Sequence, residues 1–172
     1  RLALASAERG ISKIRINPGN IGDKENIKKV ALACRERNIP IRIGINGGSA
    51  EKSVLAKYGG PTAEALAESA LLNAQMLEEF DFTDIVLSVK SSDVKTMVDA
   101  ARILNEKCNY PLHIGVNETG DVRRGNVKSA IGIGALLLDG IGNTVRVSLT
   151  DDPVNEVYAA KDILFCCGIG GG

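Results

Sequence analysis

The feature that most constrains the fold is a five-fold alternation of strand-like and helix-like segments. The strand-like runs are rich in β-branched residues and alternate in polarity; they are K-I-R-I-N (13–17), I-R-I-G-I-N (41–46), I-V-L-S-V-K (85–90), L-H-I-G-V-N (112–117) and T-V-R-V-S-L (144–149). Each run is followed by a longer segment, most of it with helical periodicity. This order is typical of βαβ units, in which parallel strands lie in sequence order and helices cover the sheet. The sequence therefore predicts an α/β fold.

The two faces of the predicted strands differ, and this difference decides the type of sheet. One face carries Ile14/Ile16, Ile41/Ile43/Ile45, Ile85/Leu87/Val89, Ile114/Val116 and Val145/Val147/Leu149. The other, which we call the polar strand face, carries Arg15/Asn17, Arg42/Gly44/Asn46, Ser88/Lys90, His113/Gly115/Asn117 and Arg146/Ser148. Strands of a doubly wound sheet are apolar on both faces. A polar lumen favours a TIM (β/α)8 barrel, and about five of its eight βα units are present, so we expect a partial barrel.

Helix boundaries follow from periodicity and capping residues. We expect helices at 2–9, 24–37, 63–79 with Thr62 as N-cap, 93–108 with Ser91 or Ser92 as cap, 127–138, and 153–164 with Asp152 as N-cap and Pro153 at the first position. A long polar loop is expected from Gly47 to Pro61. Residues 1–164 are expected to form the barrel part, and 165–172 a glycine-rich tail. Because the chain opens inside a helix, we expect sequence before it.

Charge and composition exclude several classes of partner. Lys+Arg and Asp+Glu are 21 each, so bulk charge predicts neither a nucleic-acid nor a membrane partner. No apolar run approaches the roughly 20 residues of a membrane span, and the start of the chain lacks a secretion signal. The sequence predicts a cytoplasmic protein.

Its four cysteines are irregularly spaced, which argues against a disulfide framework.

Four cations on the polar strand face point to an anionic ligand. Arg15, Arg42, Lys90 and Arg146 face the predicted lumen, where Glu118 is the only nearby carboxylate. Isolated buried charges cost several kcal/mol each. Arginine binds phosphate oxygens bidentately, and lysine acts as a point charge. The sequence therefore predicts a phosphorylated, and specifically diphosphorylated, small molecule as ligand.

Other polar residues at the strand ends have weaker signals. Asn17, Asn46, Asn117 and Ser148 are late in their strands, where barrel enzymes place their active sites. Glu118, directly after its strand, is a candidate catalytic or substrate-orienting acid. His113 has the default interpretation of a satisfied core residue. Cys34 and Cys108 are expected to be buried in helices.

Long motifs resemble one bacterial enzyme family. They are K-I-R-I-N-P-G-N-I-G (13–22), I-R-I-G-I-N-G-G-S (41–49), Y-G-G-P-T-A-E-A-L-A-E-S-A (58–70), D-I-V-L-S-V-K-S-S-D (84–93), Y-P-L-H-I-G-V-N-E-T-G (110–120), V-K-S-A-I-G-I-G-A-L-L (127–137) and G-I-G-N-T-V-R-V-S-L-T-D-D-P (140–153). They are similar to the 4-hydroxy-3-methylbut-2-enyl diphosphate synthases, iron–sulfur enzymes of the non-mevalonate isoprenoid pathway. The resemblance covers residues 1–164, in order.

The resemblance implies a fold, a reaction and partners. The family joins a TIM barrel to a small domain with a 4Fe–4S cluster, and its dimer caps each barrel with the partner's cluster domain. It reductively opens the ring of 2-C-methyl-D-erythritol 2,4-cyclodiphosphate, with electrons from flavodoxin or ferredoxin. The implied diphosphate contacts are Arg15, Asn17, Arg42, Asn46, Lys90, Arg146 and Ser148. Glu118 is implied near the reacting end of the substrate.

The end of the chain departs from the family pattern. The family's cluster domain has a C-P-x-C-G motif, whereas this chain has the adjacent pair Cys166-Cys167, and such a cluster needs three or four well-placed ligands. We assign no metal ligand in this chain and expect the cluster domain to be absent from it. Asn117 stands where the family commonly has threonine. Two alternatives stay open: a catalytically inert phosphate-binding fragment, and another phosphate-handling barrel enzyme resembling dihydropteroate synthase.

Overall fold

A computed structural model describes residues 2–17, 24–117 and 121–170. In these ranges the helices are α1 Leu2–Glu8, α2 Lys24–Arg35, α3 Lys52–Tyr58, α4 Ala63–Glu78, α5 Val94–Lys107, α6 Val122–Leu138 and α7 Pro153–Cys166. The strands are β1 Ile14–Ile16, β2 Ile41–Ile45, β3 Ile85–Val89, β4 His113–Ile114 and β5 Thr144–Val145. The predicted alternation of strands and helices is confirmed. None of the helices described is long and apolar enough to cross a membrane.

The chain divides into two compact units, Arg1–Ser88 and Val89–Gly172. In the first, β1, β2 and β3 lie in sequence order, and β1 runs parallel to β2 with Ile14 opposite Ile41. In the second, β4 and β5 are parallel, with His113 opposite Thr144. Within the described ranges the strands form these two sheets and no closed barrel. This agrees with the expectation of a partial barrel.

The core is aliphatic, and the predicted apolar strand face supplies much of it. In the first unit Ile41, Ile43, Ile45, Ile85 and Leu87 are nearly inaccessible. In the second, the largest inaccessible side chains are Met97, Leu104, Ile114, Ile133 and Leu136. Burying a side chain of this size contributes roughly 1.5–3 kcal/mol to folding before the entropy cost. The apolar strand face therefore holds the sheet of the first unit against its helices, whereas α5 and α6 supply most of these side chains in the second.

Several predicted boundaries were wrong. The expected loop between Gly47 and Pro61 contains α3. Helix α6 begins at Val122 rather than Val127, because Asp121 caps it by accepting a hydrogen bond from the Arg124 amide at 3.0 Å. Helix α5 is capped by Asp93, which accepts from the Thr96 amide at 2.7 Å, and by neither preceding serine.

The last two strands and several helix ends also differ from prediction. The runs predicted as strands at 112–117 and 144–149 are ladder-paired only over His113–Ile114 and Thr144–Val145. Helix α2 ends at Arg35 instead of Arg37, and α7 continues to Cys166 instead of about Leu164. Cys108 is half-buried at the C-cap of α5, not buried within the helix as predicted.

Helix α6 packs closely at Gly132, which makes this glycine a test of the packing. A Cβ at Gly132 would lie 2.8 Å from both Met97 Cε and Val116 Cγ2. We expect Gly132→Ala to lower the free energy of unfolding by about 1–2 kcal/mol through overpacking. Gly134 is the matched control, since its Cβ would lie 3.7 Å from Cys167 Sγ. Gly134→Ala should be neutral or stabilising. Urea unfolding measures the free energy of unfolding of both variants. Equal losses of stability would contradict the close packing inferred at Gly132.

Candidate functional site

Two arginines of the polar strand face are neighbours in the first unit. Arg15 in β1 and Arg42 in β2 are Cα partners in the parallel ladder. Like charges opposite each other on adjacent strands destabilise a sheet. Arg15 is exposed, and none of the ion pairs in the described part of the chain includes it. The pair is therefore suited to hold an anion, for which two guanidinium groups offer parallel N–H donors.

The guanidinium group of Arg15 reaches across to β2 at Gly44. A Cβ at Gly44 would lie 2.5 Å from Arg15 Nε and 3.0 Å from Nη2. Contacts this short are not tolerated, so the observed position of Arg15 requires glycine there. The glycine spacing of the polar strand face is visible in the sequence, whereas this steric role of Gly44 is not.

The asparagines that end β1 and β2 have different surroundings. Asn17 is half-buried, and within the described residues its buried Oδ1 has no hydrogen-bond partner. Leaving a buried acceptor unsatisfied costs about 1–3 kcal/mol, which favours a ligand donor at this position. Asn46 instead shapes its own loop, because its Oδ1 accepts from the Gly48 amide at 3.1 Å. Ser88 also has a buried Oγ without a partner in the described chain.

The second unit holds the remaining candidates on or near β4 and β5. Lys90 is only 6% exposed, and a Cβ at Gly115 would lie 3.6 Å from its Nζ. The same Cβ would lie 2.3 Å from the backbone oxygen of Arg146. Arg146 is exposed and Ser148 half-buried. A buried ammonium group must be paired or hydrogen-bonded. The 3.6 Å to Nζ is an ordinary contact distance, so the glycine at 115 serves the close approach of the Arg146 backbone and not Lys90.

Three further candidates belong to the fourth strand run or follow it directly. His113 Nδ1 lies 2.8 Å from Thr144 Oγ1 across the β4–β5 pair. This contact engages one ring nitrogen, whereas Nε2 is buried without a hydrogen bond within the described residues, so the interpretation of His113 as a satisfied core residue stays a prediction. Glu118, the predicted catalytic acid, lies outside the described residues, so its role stays a prediction. Asn117 donates its backbone N–H to Ser91 O at 3.0 Å, which links the end of its strand run to the loop after β3.

The cysteines do not fit an iron–sulfur cluster. Cys34 is fully buried, and burial raises the pKa of its thiol, which disfavours the thiolate that a metal requires. Cys108 Sγ donates to Leu104 O at 3.2 Å. Cys166 and Cys167 are adjacent at the end of α7. Across the described ranges, no group of three or more His, Cys, Asp or Glu residues could hold a metal ion.

Comparison with known proteins agrees with the motifs. The family described as GcpE TIM-barrel domain matches residues 1–161. A relative from Clostridium perfringens, named 4-hydroxy-3-methylbut-2-en-1-yl diphosphate synthase (flavodoxin), is 60% identical over 95% of this chain and 47% of its own length. A relative with the same name from Fusobacterium nucleatum is 60% identical over 95% of this chain and 46% of its own length. Another from Caldanaerobacter subterraneus is 56% identical over 98% of this chain and 48% of its own length. The chain spans about half the length of these curated relatives.

Proposed function

Because the chain belongs to the GcpE TIM-barrel domain family, we propose that the whole protein catalyses the reductive ring opening of 2-C-methyl-D-erythritol 2,4-cyclodiphosphate. The product is 4-hydroxy-3-methylbut-2-enyl diphosphate. This chain, over residues 1–164, supplies the part of the barrel that binds the diphosphate. The names of the relatives support the proposal, and they support it over an enzyme resembling dihydropteroate synthase.

The single observation that carries the proposal is the pair Arg15 and Arg42. The two cations stand in register on neighbouring strands, and Arg15 takes part in none of the ion pairs of the described chain, so an anion bound beside Arg15 would reduce their repulsion. A diphosphate has enough oxygens to serve both guanidinium groups. Lys90 adds a buried positive charge in the second unit, and Arg146 an exposed one.

The other candidate residues complete the proposed contacts. Asn17, Asn46 and Ser148 offer amide and hydroxyl groups to phosphate oxygens or substrate hydroxyls. Glu118 orients the reacting end of the substrate or moves a proton there. The opening of the ring consumes electrons, which flavodoxin or ferredoxin delivers. A 4Fe–4S cluster would be held by ligands outside those described here. A cytoplasmic homodimer is part of the same proposal.

The test is turnover of the cyclodiphosphate by the full-length protein that contains this chain, with reduced flavodoxin as donor. We expect formation of the linear diphosphate. Replacing Arg15 by glutamine should weaken binding of the cyclodiphosphate by roughly tenfold, the equivalent of about 1.4 kcal/mol. Isothermal titration measures this affinity.

Arg37 provides the matched control for the loss of one arginine charge. It is exposed two residues after the end of α2 and donates to Ala33 O at 3.3 Å and to Glu36 at 3.4 Å. Arg37→Gln should leave affinity unchanged. Equal losses in the two variants would mean that binding depends only on net charge. Binding without turnover would favour the inert phosphate-binding alternative.

A further inference from the structure

A buried polar cluster in the first unit stands out because its surroundings are apolar. Helix α4 turns a face of alanines and leucines into the core, yet Ser69 and Asn73 on that face are 0% and 3% exposed. Burying a hydroxyl or an amide is unfavourable unless it is hydrogen-bonded. Both side chains find the same partner, the carboxylate of Glu51, which ends the loop after β2.

The contacts of Glu51 are directed away from its own helix. Ser69 Oγ donates to Glu51 Oε2, and Asn73 Nδ2 donates to Glu51 Oε1 at 2.5 Å. Asn73 Nδ2 also lies 2.8 Å from Ser69 O. Glu51 is the N-cap residue of α3, but its side chain makes no capping hydrogen bond. At an N-cap, a side-chain oxygen commonly accepts a hydrogen bond from the first turn of the helix. The carboxylate therefore fastens the loop to α4.

The loop that Glu51 fastens is closed by its own hydrogen bonds. Ser49 Oγ accepts a hydrogen bond from the backbone N–H of Asn46 at 2.8 Å. The backbone N–H groups of Ser49 and Ala50 donate to Asn46 O at 3.0 and 3.1 Å. The Gly48 amide donates to Asn46 Oδ1 at 3.1 Å. The segment from Asn46 to Ala50 is thus a compact turn, and the next residue, Glu51, hydrogen-bonds to α4.

We propose that Glu51, with Ser69 and Asn73, is a positioning group that holds the Asn46–Ser49 turn in the geometry that binds the substrate diphosphate. The inference rests on the proposed function and assigns a role to residues that do not contact the substrate. A second tether holds the other end of α3, since Tyr58 Oη donates to Glu68 at 2.6 Å and Lys57 Nζ lies 2.7 Å from the same oxygen. Removing Glu51 therefore frees the turn while α3 stays attached to α4.

The first test does not need the substrate. In Glu51→Ala, exchange of the Gly48 and Ser49 amide hydrogens should accelerate by about tenfold or more, because their protection depends on a fixed turn. Exchange at Ile43 in β2 should not change. Ser69→Ala should act in the same direction and serves if Glu51→Ala folds poorly. Unchanged exchange at both amides, with a lower melting temperature, would show a purely structural link and overturn the proposal.

The second test measures binding of the cyclodiphosphate to the full-length protein. Glu51→Ala should raise its Kd about tenfold. Glu51→Gln keeps one acceptor oxygen for Asn73, and its amide can donate to Ser69 Oγ, so it should restore affinity to within about threefold. The control is Glu36→Ala, because the Glu36 side chain is 73% exposed. This variant should bind as the wild type does.

The outcomes separate the two proposals. If the wild type binds no cyclodiphosphate, the proposed function fails, and the exchange experiment still decides whether Glu51 holds the turn. If the wild type binds and Glu51→Ala binds equally well, the proposed function stands and the positioning role is wrong.

Discussion

Gly115→Ala is expected to destabilise the second unit by about 3 kcal/mol, the upper end of the usual cost of overpacking. The new Cβ would lie 2.3 Å from the backbone oxygen of Arg146. A backbone oxygen cannot rotate away as a side chain can. Relief requires the fifth strand run to move, which strains the hydrogen bond from the Arg146 amide to Ile114 O at 3.0 Å.

Urea unfolding of the variant measures this loss of stability. Gly134→Ala is again the control, because its Cβ meets only Cys167 Sγ at an ordinary contact distance of 3.7 Å. A loss of less than about 1 kcal/mol in Gly115→Ala would mean that the strand run moves freely. The close approach at Gly115 would then not be needed for the fold.

Gly44→Ala is expected to have the opposite profile, with a large effect on binding and a small one on stability. Its Cβ would lie 2.5 Å from Arg15 Nε, which belongs to a long, exposed side chain that can shift. Alanine in a strand also removes the entropic cost of glycine, about 0.5–1 kcal/mol. The displaced guanidinium should lose its place over Gly44, and affinity for the cyclodiphosphate should fall about tenfold.

A double-mutant cycle with Arg15→Gln decides whether this mechanism is right. Once Arg15 is replaced, Gly44→Ala should cause no further loss of affinity, because the clashing group has changed and the binding charge is gone. If the two losses add, then Gly44 acts on the ligand by another route. A large fall in melting temperature for Gly44→Ala alone would show that the strand cannot accept the methyl group.

The face pattern of the strands could be predicted from the sequence because burial and alternation are local properties. Ile14, Ile16, Ile41, Ile43 and Ile45 lie in the core as expected. The register that places Arg15 opposite Arg42 was not predicted, although each occupies the second position of an I-R-I run. The family could be recognised because its motifs are long and in order.

The remaining features depend on contacts between distant residues. The pairing of β4 with β5 is short, although both runs alternate like longer strands. Helix α3 follows Glu51, whose partners Ser69 and Asn73 lie a helix away. A signal for the cluster was present in the sequence, as a serine and an asparagine four residues apart on a face of alanines. The steric roles of Gly44 and Gly115 depend on coordinates alone.

The central claim is that the polar strand face binds a diphosphate, and ligand-dependent thermal unfolding tests it most directly. The full-length protein is melted by circular dichroism with and without the cyclodiphosphate. A ligand that binds only the folded state at 100 times its Kd adds about 2.7 kcal/mol of stability, so the melting temperature should rise with ligand concentration, and less so in Arg15→Gln. A cooperative melt that ignores the cyclodiphosphate in the wild type would contradict the claim.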